Sequence, residues 1–402
     1  MHPARIRIAL TALTCASITA AAPARQELQT VTSNQPGLFE RFGSAVATQG
    51  DLLVCSGATA CALSRFAGTT EVFRRVGHDW VFEQELYAPD GQPYDRFGNS
   101  LALDDGFLVV GAPLNDEVAN DAGAAYAFQM TGGAWVQTQK LAPGAAQAEE
   151  WFGWSVCARG GVLVVGAPRS PATSTEPGAA YVFRLENGEW VRKQRLREPG
   201  AAMFGWQVSV AGDLIVVGAV LEGAAYVYRF DGSAWTMEQK LVGPFGSSGS
   251  FGYSVCTDGR RVAVGDPNAY TGNPGGGAAW VYRHDGTRWI EEQELRPVGA
   301  VPSNAKFWTG LKFGTTVALD GEAVVVGAPW DSEVAWLCGA GFLFRHDGVR
   351  WTQEKKISAR AVTGGQAGTS AALAGERTVL DAPLDVALAV GTVYVHDAGG
   401  PH

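Results

Sequence analysis

A Phe-Gly pair followed fourteen residues later by a Gly-Ala-Pro-like triplet recurs along nearly the whole chain. This repeat narrows the choice of fold more than any other feature. The pair opens at Phe42, Phe97, Phe152, Phe204, Phe251 and Phe313, and the triplet begins at Ser56, Gly111, Gly166, Gly218, Gly265 and Gly327. A worn seventh copy keeps the offset, with Ala367-Gly368 before Asp381-Ala382-Pro383. Successive copies start 47 to 62 residues apart. A unit of that length cannot bury its apolar surface alone, so neighbouring units must cover one another.

Each full copy holds four short runs rich in Val, Tyr, Phe and Trp, ended by Gly or Pro. In the third copy run a is Phe152 to Cys157, run b Val162 to Ala167, run c Gly178 to Phe183 and run d Trp190 to Leu196. Short polar links such as Asp104-Asp105-Gly106 join a to b. Asn187-Gly188, Asp231-Gly232, Asp285-Gly286 and Asp347-Gly348 join c to d. Both predict tight hairpins and antiparallel strands. The expected fold is all-β: a seven-bladed β-propeller of four-stranded antiparallel blades, starting near residues 42, 97, 152, 204, 251, 313 and 367. Copy seven ends on Gly391-Thr392-Val393-Tyr394-Val395 without a run d, while Gln26-Glu27-Leu28 matches the Gln84-Glu85-Leu86 ending of run d. The N-terminal strand is therefore expected to complete blade seven, closing the ring and removing an open sheet edge.

Among 402 residues the net charge is −9, and no Lys/Arg cluster stands out, which argues against nucleic acid and anionic membrane as partners. Residues 1–24 read as a secretory signal. Arg5 and Arg7 precede the apolar stretch Ile8 to Ala22, and Ala22-Pro23-Ala24 offers a cleavage site before Arg25. The stretch is short for a membrane span, and Ala12-Leu13-Thr14 before Cys15 is a poor lipobox. The expectation is a propeller domain over residues 25–402, secreted or at the cell surface. Cys55 and Cys61 flank a short loop and form a candidate disulfide. Cys157 and Cys256 share one register and read as small buried residues, Cys338 has no evident partner, and no cysteine spacing resembles a zinc site.

The Phe-Gly and Gly-Ala-Pro pattern, seven times over residues 26 to 397, resembles the FG-GAP repeat, the blade unit of the integrin α-subunit propeller. With Gly-Ala-Ala-Tyr-Val-Phe and Trp…Gln-Lys-Leu, the copies are more similar to the bacterial secreted type. The resemblance implies a binding or adhesion module. The integrin type often carries a calcium loop between runs a and b, and calcium takes six to eight oxygen ligands. Here that link is Asp104-Asp105-Gly106 or Gly259-Arg260-Arg261, too short for such a loop. No metal or cofactor is expected, and Asp104 and Asp320 read as turn residues.

Of six histidines, His284 and His346 recur in one register and His78 lies in the corresponding turn of blade one, so they read as structural. No nucleophile signature accompanies them, and no catalytic residue is assigned. The b–c loops and d–a linkers vary in length and share one face, where binding is expected. The candidate patch there is Phe307 and Trp308 of the linker into blade six with Trp330, Asp331, Glu333 and Trp336 of its b–c loop. Grouped aromatics beside acids suit an extracellular protein or a glycan. Trp154, Trp206 and Tyr253 share a register two residues after the repeat Phe, which reads first as blade packing and second as channel-mouth binding. Asn115, Asp116, Asn120 and Asp121 read as a solvated loop before a cation site. The d-run tryptophans read as structural. The alternatives are a polysaccharide-acting enzyme with acids at the channel and a structural component of a surface layer.

Overall fold

A computed structural model describes residues 28–34, 41–57, 67–144, 148–169, 176–246, 249–269, 276–299, 310–358, 363–383 and 391–397. Its strands form seven four-stranded antiparallel sheets. Six follow the chain order a-b-c-d, and the seventh runs from strand a (Ala371–Ala374) through b (Arg377–Ala382) and c (Thr392–Asp397) to Gln29–Thr32. Strand a of each blade touches strand a of the next, and that of blade one touches that of blade seven. The sheets therefore form a closed ring around a channel, the propeller expected from the repeat.

Blade three shows how the sequence sets the strands. They are Ser155–Arg159, Val162–Ala167, Ala179–Glu186 and Glu189–Leu196. The a–b link Gly160-Gly161 and the c–d link Asn187-Gly188 place both central residues at positive φ, which two-residue hairpins with the twist of their strands require. The Asp-Gly turns work differently. Asp285 accepts N–H bonds from Thr287 and Arg288 and a hydroxyl bond from Thr287. These bonds, the hydroxyl first, hold its exposed carboxyl down to about 2.

In blade three strand b, Val162–Ala167, is apolar and buried along its length, because a central strand of a blade faces both neighbours. The core is accordingly laminated. One buried cluster joins blades two and three through Phe152, Leu163 and Tyr181, and the next joins three and four through Val164, Phe204 and Tyr226. The repeat Phe is the centre of each layer. Phe97, Phe152, Phe204, Phe251 and Phe313 are fully buried, and each meets two strand-c rings, mostly edge-on, at 5.2 to 6.3 Å.

The repeat glycines sit where blades come closest. A Cβ on Gly111 would lie 2.0 Å from the carbonyl oxygen of Gly153, and one on Gly153 would lie 2.3 Å from that of Ala124. The two glycines of the repeat thus mark one contact, made between the triplet of one blade and the Phe-Gly pair of the next.

Blade closure follows the expectation with a correction in register. Val31 pairs with Val393 and Gln29 with Val395, as Leu86 pairs with Thr70 and Gln84 with Val72 in blade one. The equivalents of Gln84-Glu85-Leu86 are therefore Gln29-Thr30-Val31, three residues beyond Gln26-Glu27-Leu28. The reason is burial. Val31 fills the core at 6% exposure where Leu86 does so at 3%. Gln26 and Glu27 lie outside the described residues.

Candidate functional site

Each blade begins with a tight turn that lays out the channel entrance. The N–H of the residue two after the repeat Phe donates to the carbonyl of the residue just before it, at 2.9 to 3.1 Å in blades one to six. The glycine between has φ of 86 to 95° in all seven blades, as the third residue of a type II turn demands. Residues before the Phe, including Arg96, Trp151, Met203, Lys312 and Gln366, are themselves left-handed. The turn lies at the head of strand a, on the face that carries the d–a linkers and b–c loops.

These turns place one residue per blade around the mouth. Blades three, four and five supply Trp154, Trp206 and Tyr253, and blades six, seven, one and two supply Thr315, Thr369, Ser44 and Asn99. All seven line a cavity of about 320 Å3 at the channel end. The rings form a continuous run: Trp151 stacks on Trp154 at 5.1 Å, Trp154 meets Trp206 at 4.8 Å and Trp206 meets Tyr253 at 5.6 Å. One register in the sequence is thus one arc in space, half-buried rather than locked inside a blade. Among the described residues no carboxylate lines this cavity. One residue further on, the serines are occupied by blade assembly. Ser100, Ser155 and Ser254 donate to the carbonyls of Gly153, Gly205 and Gly314 in the next blade.

The blade-six b–c loop divides the patch expected from the sequence. Asp331 is fully buried and, with Glu333, holds Lys356 Nζ. Its backbone oxygen accepts from Cys338 Sγ. Asp331 therefore anchors the loop, in the register that buried Asn115 occupies in blade two, where Asn115 Nδ2 donates to Asp95 at 2.7 Å. Trp330 is half-buried under Lys312 Nζ, 4.9 Å from its ring centre. Glu333 and Trp336 are exposed, Trp336 at 53%, beside Val334 at 45%. The carbonyl of Trp336 accepts from Gly364 in the linker to blade seven at 2.8 Å. Phe307, Trp308 and Cys61 lie outside the described residues, and Cys55 is buried on strand b of blade one.

The FG-GAP repeat family matches residues 80–128 and 135–183, and the same unit builds all seven blades. The chain carries FG-GAP repeats within a seven-bladed β-propeller. No curated protein matches it. Among solved structures, the WD40 repeats of RRP9 superpose with a TM-score of 0.61 at 8% identity, covering 92% of this chain and 99% of that one. A structure of U3-55K gives 0.60 at 8%, covering 92% and 98%. A protein from Lactobacillus plantarum gives 0.51 at 12%, covering 79% and 86%. At such identities the likeness is one of fold alone.

Polar side chains at the a–b turns of this propeller serve assembly. Asp320 accepts from the N–H of Gly375 in the next blade at 2.8 Å, and Gln49 does the same for Asp105 at 3.1 Å. Asp320 is a turn residue, as expected, but the turn it caps is the neighbour's. His284 and His346 each pack on the Trp that opens strand d and accept an N–H from the turn glycine. Cys157 and Cys256 are free thiols whose sulfurs accept N–H bonds from Val210 and Leu319 of the following blades. Nothing in the repeat pattern signals that cross-blade role. Asp116 accepts from the N–H of Asp121, which ties that loop to itself. Among the described residues no three His, Cys, Asp or Glu side chains gather as metal ligands.

Proposed function

We propose that this FG-GAP propeller is an exported interaction module that binds rather than catalyses. Its loop face docks an extracellular partner, a protein or the glycan it carries, with the blade-six b–c loop at the centre of contact. The observation that carries this reading is Trp336, exposed together with Val334 on a loop whose base is fixed by the Asp331–Lys356 pair. A large aromatic held in advance of binding loses little freedom on docking, which is how a few anchors come to dominate an interface. The hydroxyl, amide and aromatic lining of the channel supports holding a ligand over cleaving one. Export rests on residues 1–24.

Arrays of extracellular proteins and glycans, probed with the wild type and with Trp336→Ala, test the docking. The variant is expected to weaken binding by about thirtyfold, near 2 kcal/mol. Equal binding by both removes the patch from consideration. N-terminal sequencing of the chain recovered from culture medium is expected to begin at Arg25, and retention of residues 1–24 inside the cell overturns export.

A further inference from the structure

The channel mouth is lined by none of the blade-six loop residues, and its seven turn residues divide by chemistry. On one arc, Trp154 Nε1, Trp206 Nε1 and Tyr253 Oη make no hydrogen bond among the described residues, so three donors stand uncommitted along the aromatic run. The opposite arc has spent its hydroxyl donors inside the protein. Thr315 and Thr369 hydroxyls donate to the carbonyls of Lys312 and Gln366 at 2.7 and 2.8 Å, and Ser44 donates likewise to Arg41. Asn99 Nδ2 donates to the carbonyl of Trp154 at 2.8 Å. What remains there are the lone pairs of three hydroxyls and one amide oxygen, with the second N–H of Asn99.

We propose that this mouth is a second binding site, for a neutral sugar. The ligand must accept on one side, donate on the other, and present apolar surface to the rings. A pyranose does all three, with hydroxyls that both donate and accept and with C–H groups along its ring. Volume agrees: about 320 Å3 lies at the lower end of small-ligand pockets, about 300 to 1,000 Å3. Charge agrees as well. The cavity is lined by no Lys, Arg, Asp or Glu among the described residues, so a phosphate or uronate finds no counter-ion. A quaternary ammonium meets aromatic rings but can use neither set of hydrogen-bonding atoms.

The test is a titration of the full chain with methyl glycosides of glucose, galactose, mannose and N-acetylglucosamine, read by tryptophan fluorescence and calorimetry. Methyl glucuronide and tetramethylammonium are run beside them. At least one neutral glycoside is expected to bind, and the two charged probes are not. Tyr253→Phe and Trp206→Phe each remove one donor, keep a ring in place and break no bond within the protein. Each is expected to weaken binding by about tenfold, the size of one lost hydrogen bond, with the melting temperature unchanged. Trp336→Ala, which reports on the blade-six loop, is expected to leave glycoside binding intact, so failure of one site is distinguishable from failure of the other. Absence of binding by every glycoside, preference for tetramethylammonium, or full affinity in both variants overturns the proposal.

Discussion

Asp381 stands where five other blades place a glycine, and it is the most confined acid of the ring seam. It is fully buried, its Oδ1 accepts from the N–H of Ser370 at 2.6 Å, and Gly43 of blade one packs on its Cβ. Burial pushes its carboxyl well above the usual aspartate range and, with Glu71 and Asp381 nearby, does the same to the Cys55 thiol. A carboxyl whose folded pKa is raised holds its proton more firmly in the native state than in the unfolded chain. Its contribution to stability is full below the ordinary aspartate value and is lost as pH rises through the folded value. Asp381→Asn keeps the acceptor for Ser370 and cannot ionise. Thermal melts at a series of pH values are expected to show the variant gaining on the wild type as pH rises from 4 to 8. The repeat glycines are less forgiving. Gly111→Ala puts its Cβ against a backbone oxygen of the next blade and is expected to cost about 3 kcal/mol in urea unfolding. Gly106→Ala, at an open turn with φ of 81°, is expected to cost about 1 kcal/mol through backbone strain alone.

At the level of strands, the outer strands of blades one to five are each stapled to the next by one glutamine. Gln84, Gln139, Gln194, Gln239 and Gln293 each bond both the N–H and the C=O of the tryptophan opening the following strand d, at 2.7 to 3.0 Å. A β-bulge recurs in every c–d pair of blades one to six, just before this residue. The extra residue bends the strand locally, at the point where the amide reaches across. Gln194→Ala strands two backbone groups and is expected to cost about 2 to 3 kcal/mol. Gln353→Ala, whose amide bonds exposed Val298 instead, is expected to cost under about 0.5 kcal/mol, both read from urea midpoints. The Trp and Gln letters were legible in the sequence because they repeat. Their partnership was not, because the partners sit 41 to 58 residues apart and a bulge is invisible to a pattern of alternation. Blade six breaks the series: Lys355 takes the glutamine's place and meets His396, because blade seven has no tryptophan to staple.

For the molecule as a whole, the number of blades and the ring were readable because a fixed fourteen-residue offset survives even where Ala367 and Asp381 replace the usual letters. The register of closure was misread by three residues, since Gln26-Glu27-Leu28 and Gln29-Thr30-Val31 differ in letters while burial decides between them. The site was legible in part. One register named Trp154, Trp206 and Tyr253, but the opposing Ser44, Asn99, Thr315 and Thr369 look unlike one another until the ring brings them to one rim. Blade six's Asp331 misled because an acid on a long loop reads as exposed, whereas here it is the loop's buried anchor. Removing residues 1–34 leaves Thr392–Asp397 as an open edge and is expected to yield a chain that associates on size-exclusion chromatography and loses its sharp thermal transition.

The seam also sets how the ring responds to force. Gln29 faces Val395 and Thr32 faces Thr392, so the chain enters and leaves the shared sheet at the same end. A pull on those two ends loads the pairs one after another, like a zipper, instead of shearing all four together. Whatever tension reaches the protein along its own chain will open the circle there first, while a load carried between the loop face and the blades spreads across seven sheets at once.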